Sequence, residues 1–358
     1  MDFMDRGKIS QEEAEDKGES RMNVTHEVGL SSTEIAWLWS TYINETISIC
    51  FTKHFLHHID RNREDVKMLI EKTQALSEKH IEEIKNIFSK ENFPIPMGFT
   101  EHDVDLSAPP LFFDLFSVSY IYGMSRIGLV TYGKIISNVA RKDIRIFFSK
   151  CLESTTELYN TAIELMLEKG IYDRPPMIPY PSHIEFVQKK ETFISKWFEE
   201  KRPLNVIEIS EMFFNIERNY FGLILLTAFI QVAKDEKVKQ HLIKGKQLAQ
   251  KQIEFLNKTF MKDDLLGDIM VNSEVSASTA SPFSDKLITF LVSTLNTQGI
   301  AYIGHALATS MRIDLVKEYS KLIPEILAYG KEGLDIMIEN AWLEEVPHAP
   351  DRKGLASV

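Results

Sequence analysis

The sequence AIELMLE at residues 162–168 recurs as GLDIMIE at residues 333–339. Pro176 matches Pro347 at the same spacing, and the repeated stretch extends back without a gap to Asp114, which matches Asp285. A constant spacing over this length is the mark of an internal duplication. The chain is therefore predicted to contain two copies of one structural unit.

The residues that precede this stretch repeat as well, at a spacing that is longer by one residue. The segment KHIE at residues 79–82 matches KQIE at residues 251–254, and Glu45 matches Glu217. A difference of one residue between the two spacings is small enough for a connecting loop to absorb. We therefore expect the duplication to include the first half of each copy.

Each copy contains four segments in which apolar residues recur at the spacing of an α-helix. The predicted helices cover about residues 31–60, 64–90, 111–139 and 142–169, and then 206–234, 237–262, 283–309 and 313–340. Between the second and third helix of each copy lies a segment that is typical of an extended crossover. We therefore predict an all-α fold of two tandem four-helix bundles, ferritin-like and up-and-down, each with one long crossover.

The composition of the remaining segments sets the domain boundaries. Residues 1–29 are rich in Glu, Asp, Lys and Ser and poor in apolar residues, which predicts a disordered leader. Residues 173–205 begin with a proline-rich run that cannot be helical, and they are assigned to a linker. The bundles are accordingly assigned to residues 30–172 and 206–346, and residues 347–358 to a tail.

The overall composition excludes several classes of partner. The 358 residues are 44% hydrophobic and carry a net charge of −11, whereas binding of nucleic acid needs a clustered basic face. The longest apolar run, residues 221–233, is shorter than the ~20 residues that span a membrane. We therefore expect a globular protein without a nucleic-acid partner and without a membrane span.

Location and assembly follow from the same features. Two cysteines and the lack of a signal peptide fit a reducing compartment, so we expect a cytoplasmic protein, with the spore as the alternative location. The duplication already pairs two bundles within one chain. We therefore expect a monomer or a weak homo-oligomer.

A carboxylate and a histidine occupy positions that face the interior of the first bundle. Glu45 lies on the apolar stripe of the first helix, and His80 lies on the corresponding stripe of the second. Both are about equally far from the turn between these helices, so they are expected at the same height. Glu157, on the fourth helix, is expected at a similar height. Together the three side chains form a reasonable ligand set for iron, manganese or zinc.

Other interpretations of these residues remain open. A buried histidine beside one carboxylate is more often a hydrogen-bonded pair that fixes the register of helices than a metal ligand. Glu157 also lies on a polar line of its helix, which predicts a position on the solvent-facing side.

The second copy retains such a site only in degraded form. Its candidate residues are Glu217, Gln252 and Glu325. Gln252 stands where the first copy has His80, and Glu325 lies one turn before the position that matches Glu157. We therefore expect the second site to be altered or lost.

No catalytic motif accompanies these residues. The Glu-x-x-His motif of di-iron bundles occurs only at residues 345–348, in the proline-containing tail beyond the last helix. No nucleotide-binding loop and no nucleophile elbow is present. The missing motifs argue against an iron-dependent oxidase and give no support to an enzyme of another kind.

Several longer motifs are shared with one protein family. They are STEIAWLW at residues 32–39, KHIE at 79–82, FPIP at 93–96, EKGI at 168–171, KRPLN at 201–205, SPFSDK at 281–286 and APDR at 349–352. The chain, over about residues 30–355, resembles a tandem-duplicated family of Bacillus-type, spore-forming bacteria known as domain of unknown function 3231.

This resemblance implies both a fold and a function. It implies two repeats of a bromodomain-like four-helix bundle, of the group called Bacillus metalloprotein-like, with a similar metal site in each repeat. It therefore favours a bound transition metal ion (iron, manganese or zinc), for which we assign Glu45 and His80 as ligands. Gln252 departs from the histidine more usual at that place in the family. The alternative is a structural or interaction protein, associated with the spore coat, that holds no metal.

Overall fold

The computed structural model describes residues 28–187, 202–265 and 274–356. These residues form eight long α-helices: α1 Ser32–His58, α2 Glu64–Lys90, α3 Asp114–Ile136, α4 Lys142–Glu168, α5 Val206–Val232, α6 Glu236–Met261, α7 Asp285–Thr309 and α8 Ile313–Glu339. A last helical turn, α9, covers Arg352–Leu355, and a 3-10 turn covers Glu101–Asp103. The predicted all-α fold of two tandem helical bundles is confirmed.

Some predicted segments lie outside the described residues. The leader assigned to residues 1–29 is described only from residue 28 onward, and the linker lacks a description for residues 188–201. The disorder predicted for the leader stays a prediction.

In the first bundle, α1 pairs with α2 and α3 pairs with α4. The crossover of residues 91–113 returns the chain to the turn between α1 and α2. There Asp114 accepts a hydrogen bond from the Asp60 amide (N–O distance 3.4 Å) and pairs with Arg63 at 3.2 Å. The helices α2 and α3 therefore run in the same direction, which is the arrangement of bundles with one long crossover.

The second bundle repeats this contact at the same place. Asp285, at the start of α7, accepts hydrogen bonds from the amides of Lys234 and Asp235, the shortest at 2.7 Å. Asp285 is the counterpart of Asp114 in the duplicated sequence. Both carboxylates lie at a helix N-terminus, where a negative charge is favourable.

At the opposite end of each bundle, a glutamate of the first helix holds the turn between the last two helices. Glu34 is 3% exposed and accepts a hydrogen bond from the Arg141 amide at 2.9 Å. Glu208 is 1% exposed and accepts from the amides of Met311 and Arg312, both at 3.1 Å. Each glutamate also closes a capping box at the start of its own helix. One buried carboxylate thus satisfies backbone donors of two elements.

These caps show how the first helices of the two copies correspond. Glu208 is the counterpart of Glu34, and α1 and α5 are both 27 residues long, so the two helices match position by position. The turn that follows has five residues in the first copy (59–63) and three in the second (233–235). The number of residues that separates counterparts in the two copies therefore falls by two at this turn. In the aligned helices α2 and α6, His80 corresponds to Gln252.

The shorter turn changes which interior residues correspond. The counterpart of Glu45 is Asn219, and the sequence-based match with Glu217 is wrong. A shift of two residues rotates a side chain by about 200° around a helix. Glu217 therefore faces away from the interior of its bundle, and Asn219 faces inward.

The two bundles pack against each other through their crossovers. Val104 and Phe283 form an isolated β-bridge, and Phe112 and Val275 form another. Val275 is the counterpart of Val104 in the duplicated sequence, and Phe283 is the counterpart of Phe112. An approximate two-fold axis therefore relates the bridges and the bundles that they join.

An aromatic cluster joins the two bundles. The ring of Phe51 stacks on Tyr120 and on Phe283 of the second copy, with centroids 4.6 and 4.2 Å apart. One continuous hydrophobic core includes the first bundle and one end of the second. A separate cluster, which contains Met212 and Tyr319, fills the other end of the second bundle. The core is thus continuous in the first bundle and interrupted in the second.

The helix α7 is long and apolar enough to cross a membrane by length and composition, and no other helix of the described residues is. Its side chains Leu287, Ile288 and Leu291 are fully buried against the other helices. In all, 39% of this apolar window is buried within the described structure.

Replacing Glu208 with alanine is expected to lower the free energy of unfolding by about 3–5 kcal/mol, because the change removes the buried acceptor of Arg202 and of two turn amides. Urea denaturation followed by circular dichroism measures the loss. Glu34→Ala is the comparison in the first bundle and is expected to cost less, because Glu34 accepts from the Arg141 amide and forms no ion pair within the described residues. A loss below about 1 kcal/mol, as for an exposed ion pair, would contradict this role.

Candidate functional site

The structure brings Glu45 and His80 together inside the first bundle. Glu45 Oε1 lies 2.6 Å from His80 Nδ1, and the two side chains are 13% and 5% exposed. The hydroxyl of Tyr132 donates to the same carboxylate oxygen at 3.1 Å. Side chains from α1, α2 and α3 therefore meet at one carboxylate.

The neighbours of Glu45 keep it ionised. Burial raises the pKa of this carboxyl, but hydrogen bonds from His80, Ser77 and Tyr132 and the charge of His80 outweigh that effect and hold its pKa below the usual range. The His80 ring also packs edge-on against Tyr132 and Phe147, with centroids 6.4 and 6.0 Å away. The result is a closed polar network with aromatic surroundings.

These residues do not fit a transition-metal site. Zinc, iron and manganese usually have three or four side-chain ligands in proteins. Over the described ranges, no group of three or more His, Cys, Asp or Glu side chains is placed to hold an ion. Glu45 and His80 also satisfy each other directly. A hydrogen-bonded pair accounts for their geometry better than a shared metal ion does.

Glu157 does not join this cluster. Its side chain is 64% exposed, and its Oε2 lies 3.6 Å from Nζ of Lys72. Glu157 therefore lies on the solvent-facing side of α4, as the polar line of that helix indicated. Its inclusion among the predicted ligands is corrected accordingly.

The three candidate residues of the second copy lie in three different places. Glu217 pairs with Arg126 of α3, across the interface between the bundles. Glu325 pairs with Lys251 at the surface, at 2.6 Å. Of the three, only Gln252 is directed into the second bundle. These residues therefore do not form a second site.

An amide pair in the second bundle replaces the ionisable pair of the first. Gln252 is the counterpart of His80, and Asn219 is the counterpart of Glu45. The side-chain amide of Asn219 donates to Gln252 Oε1 at 3.2 Å. The same interior position thus carries ionisable groups in one bundle and neutral amides in the other.

Beside the amide pair, the second bundle contains a cavity of about 280 Å³. It lies among α5, α6, α7 and α8 and extends to α3 of the first bundle. Its apolar walls include Phe221, Leu225, Leu248, Val292, Leu295 and Ile326. The cavity therefore occupies the interruption between the two core clusters of the second bundle.

Small side chains help to open this space. Gly222 lines the cavity, and a Cβ atom placed there would meet nothing within 4 Å. In the first bundle the ring of Tyr132 fills the interior beside Glu45, whereas its counterpart in the duplicated sequence is the shorter Ile303.

A few polar groups interrupt the apolar wall. The guanidinium of Arg218 donates to Asn215 Oδ1 at 3.1 Å and to Gln252 Oε1 at 3.3 Å. The hydroxyl groups of Tyr302 and Tyr329 are buried and have no hydrogen-bond partner among the described residues. Buried donors of this kind are usually satisfied by protein, water or a ligand.

Sequence reasoning missed this cavity. Arg218 lies near the middle of α5, just before the most apolar run of the chain. A glycine and an arginine close together within an apolar helix were the available signal.

Comparisons with known proteins identify the family of the chain. The family model described as "Protein of unknown function (DUF3231)" matches twice, at residues 20–184 and 192–355. The chain belongs to this family. The two tandem matches also confirm the internal duplication, and the resemblance noted in the sequence is confirmed with them.

One solved structure is also similar to part of the chain. It is described as that of a candidate spore coat protein from Bacillus halodurans C-125, with 19% sequence identity and a TM-score of 0.38. The alignment covers 43% of this DUF3231 chain and 98% of that protein. No curated protein matches the chain.

Replacing Glu45 with asparagine is expected to lower the free energy of unfolding by about 3 kcal/mol, because His80 then loses the carboxylate that it contacts. The double variant Glu45→Asn, His80→Gln reproduces the amide pair of the second bundle. It is expected to recover roughly half of the loss, since contacting residues do not act additively. Urea denaturation of the wild type, both single variants and the double variant measures this coupling. A strictly additive result would contradict a coupled pair.

Proposed function

We propose that this DUF3231 protein binds a small, largely apolar molecule in the cavity of its second bundle. The observation that carries the proposal is the interruption of the hydrophobic core at that cavity. Ligand pockets are concave and mostly apolar, and many have volumes of roughly 300–1,000 Å³. The cavity, at about 280 Å³, lies near the lower end of that range, which suits a small ligand.

An unfilled space beside a hydrophobic core lowers the stability of a protein. Apolar walls that face an unfilled space lose the packing contacts that a filled core provides. The hydrophobic core of the first bundle is continuous and has no such gap among the described residues. The second bundle keeps the space, and a bound apolar molecule supplies the missing contacts.

Binding fits the lining of the cavity better than catalysis. Neither histidine nor cysteine is among the described lining residues, and Ser119 has no hydrogen bond to a base there. Covalent catalysis requires a nucleophile within reach of such a base. The described lining therefore holds no nucleophile–base pair, and we assign the cavity to ligand binding; the buried carboxyl of Glu274, with its pKa raised to about 7, is the lining group suited to proton transfer.

The first bundle has a structural part in this proposal. Its Glu45–His80 pair fixes α1 against α2, and Tyr132 adds α3 to the same network. The helix α3 also carries Tyr122 and Arg126, which line the cavity. The network therefore positions one wall of a site in the neighbouring bundle.

Filling the cavity is expected to abolish binding. Gly222→Leu places a side chain in open space, so it is expected to weaken binding of the neutral fluorophore N-phenyl-1-naphthylamine by at least about tenfold, or roughly 1.4 kcal/mol. A fluorescence titration measures the affinity. Gly304→Leu is the matched control, because Gly304 is also helical and open but does not line the cavity. No saturable binding to the wild type, or equal binding by both variants, would contradict the proposal.

The metal ion predicted at Glu45 and His80 stays a prediction with its own test. Because the two side chains satisfy each other, elemental analysis of protein purified without added metal or chelator is expected to find far less than one iron, manganese or zinc per chain. One equivalent in the wild type that disappears in His80→Ala would instead establish the metal site.

A further inference from the structure

We infer that the molecule bound in this cavity carries a carboxylate on an apolar body, and that Arg218 binds the carboxylate. The inference rests on the proposed function, because it names the chemical class of ligand for the same cavity. Arg218 lines the cavity together with the apolar wall, so a single ligand can contact both.

Arg218 has no countercharge among the described residues. Its guanidinium donates only to neutral amide oxygens, those of Asn215 and Gln252, and Gln252 Oε1 also accepts from Asn219. Desolvation within the bundle lowers the pKa of Arg218 to about 10, so the group remains charged at neutral pH. Arg218 is partly exposed within the bundle, and an anion in the cavity would supply the partner that its charge lacks among the described residues.

The other charged groups around the cavity do not compensate Arg218. Glu217 is held by Arg126 in an ion pair across the interface between the bundles. Asp173 is exposed, beyond the end of α4. Burial raises the pKa of Glu274 to about 7, so this carboxyl carries only part of a charge at neutral pH. Among the described lining residues, Arg218 is therefore a cation that no carboxylate contacts.

Further donors lie in the same lining. Tyr302 and Tyr329 both line the cavity, and both hydroxyl groups are buried without a partner among the described residues. The unpaired Oε2 of Glu274 lies in the same lining, so the preference for an anion comes from the charge of Arg218. A carboxylate only accepts hydrogen bonds, about four in total, and its bonds to a charged donor are the strong kind. It therefore matches this lining better than an alcohol or an amine does.

A glycine makes room for the guanidinium. A Cβ atom at Gly299 would lie 2.7 Å from Nη1 of Arg218. Any other residue at this position of α7 would displace the guanidinium, which can move because it ends a flexible side chain. The absence of a side chain at Gly299 thus allows the guanidinium of Arg218 to pack against the backbone of α7.

The expected ligand is a monocarboxylate with an apolar chain or ring, of the size of a medium-chain fatty acid. Decanoate and decanol are suitable probes, because they share the chain and differ in the charged group. Isothermal titration calorimetry below the micellar concentration measures both affinities. We expect the wild type to bind decanoate at least about tenfold more tightly than decanol.

Arg218→Met is expected to weaken decanoate binding at least about tenfold and to leave decanol binding unchanged. The same variant is expected to melt at the temperature of the ligand-free wild type or above it, because it removes an unpaired charge. A purely structural arginine would instead lower the melting temperature and weaken both probes alike. Gly299→Ala keeps the positive charge but moves it, so it also is expected to weaken decanoate selectively.

The outcomes separate the two proposals. Equal affinities for decanoate and decanol in the wild type, or unchanged decanoate binding in Arg218→Met and Gly299→Ala, would overturn the carboxylate inference. The cavity would still be a binding site in that case, provided that Gly222→Leu blocks decanol. Failure of the wild type to bind either probe would overturn the proposed function as well.

Discussion

The carboxylates at the two ends of each bundle determine which helix pairs lie together. Asp114 and Asp285 accept backbone amides from the turn of the first hairpin, and Glu34 and Glu208 do the same for the turn of the second. Hydrophobic burial is not directional, so it alone does not fix the height of one hairpin against the other. The hydrogen bonds of these four carboxylates fix the height of one hairpin against the other. The heights of the interior residues depend on them.

Within this common frame the two interiors have diverged in a consistent way. The first bundle contains ionisable groups that satisfy one another, and its core is continuous. The second has exchanged them for Asn219 and Gln252, has lost the ring at the position of Tyr132, and contains Arg218 without a countercharge among the described residues. One bundle is thus built for stability, whereas the other keeps an uncompensated charge beside an apolar space, which is typical of a site that binds something.

The sequence was sufficient for the helices, the duplication and the contact between Glu45 and His80, because each depends on periodicity along one hairpin. It was insufficient for Glu157, since a height along a bundle does not specify the direction in which a side chain points. The match of Glu217 with Glu45 failed because a turn two residues shorter rotates the apparent counterpart to another face. Arg218 was missed because its significance lies in the partners it lacks, which only the packed structure reveals.

The paired crossovers give the interface between the bundles the geometry of a symmetric dimer, in which each half presents the same surface to the other. In a true homodimer every substitution occurs twice, so both interiors must change together. Covalent linkage removes that restriction and also holds the halves at a high effective concentration. One half was therefore free to acquire a costly cavity while the other retained the stability of the pair, an asymmetry that two identical chains cannot reach.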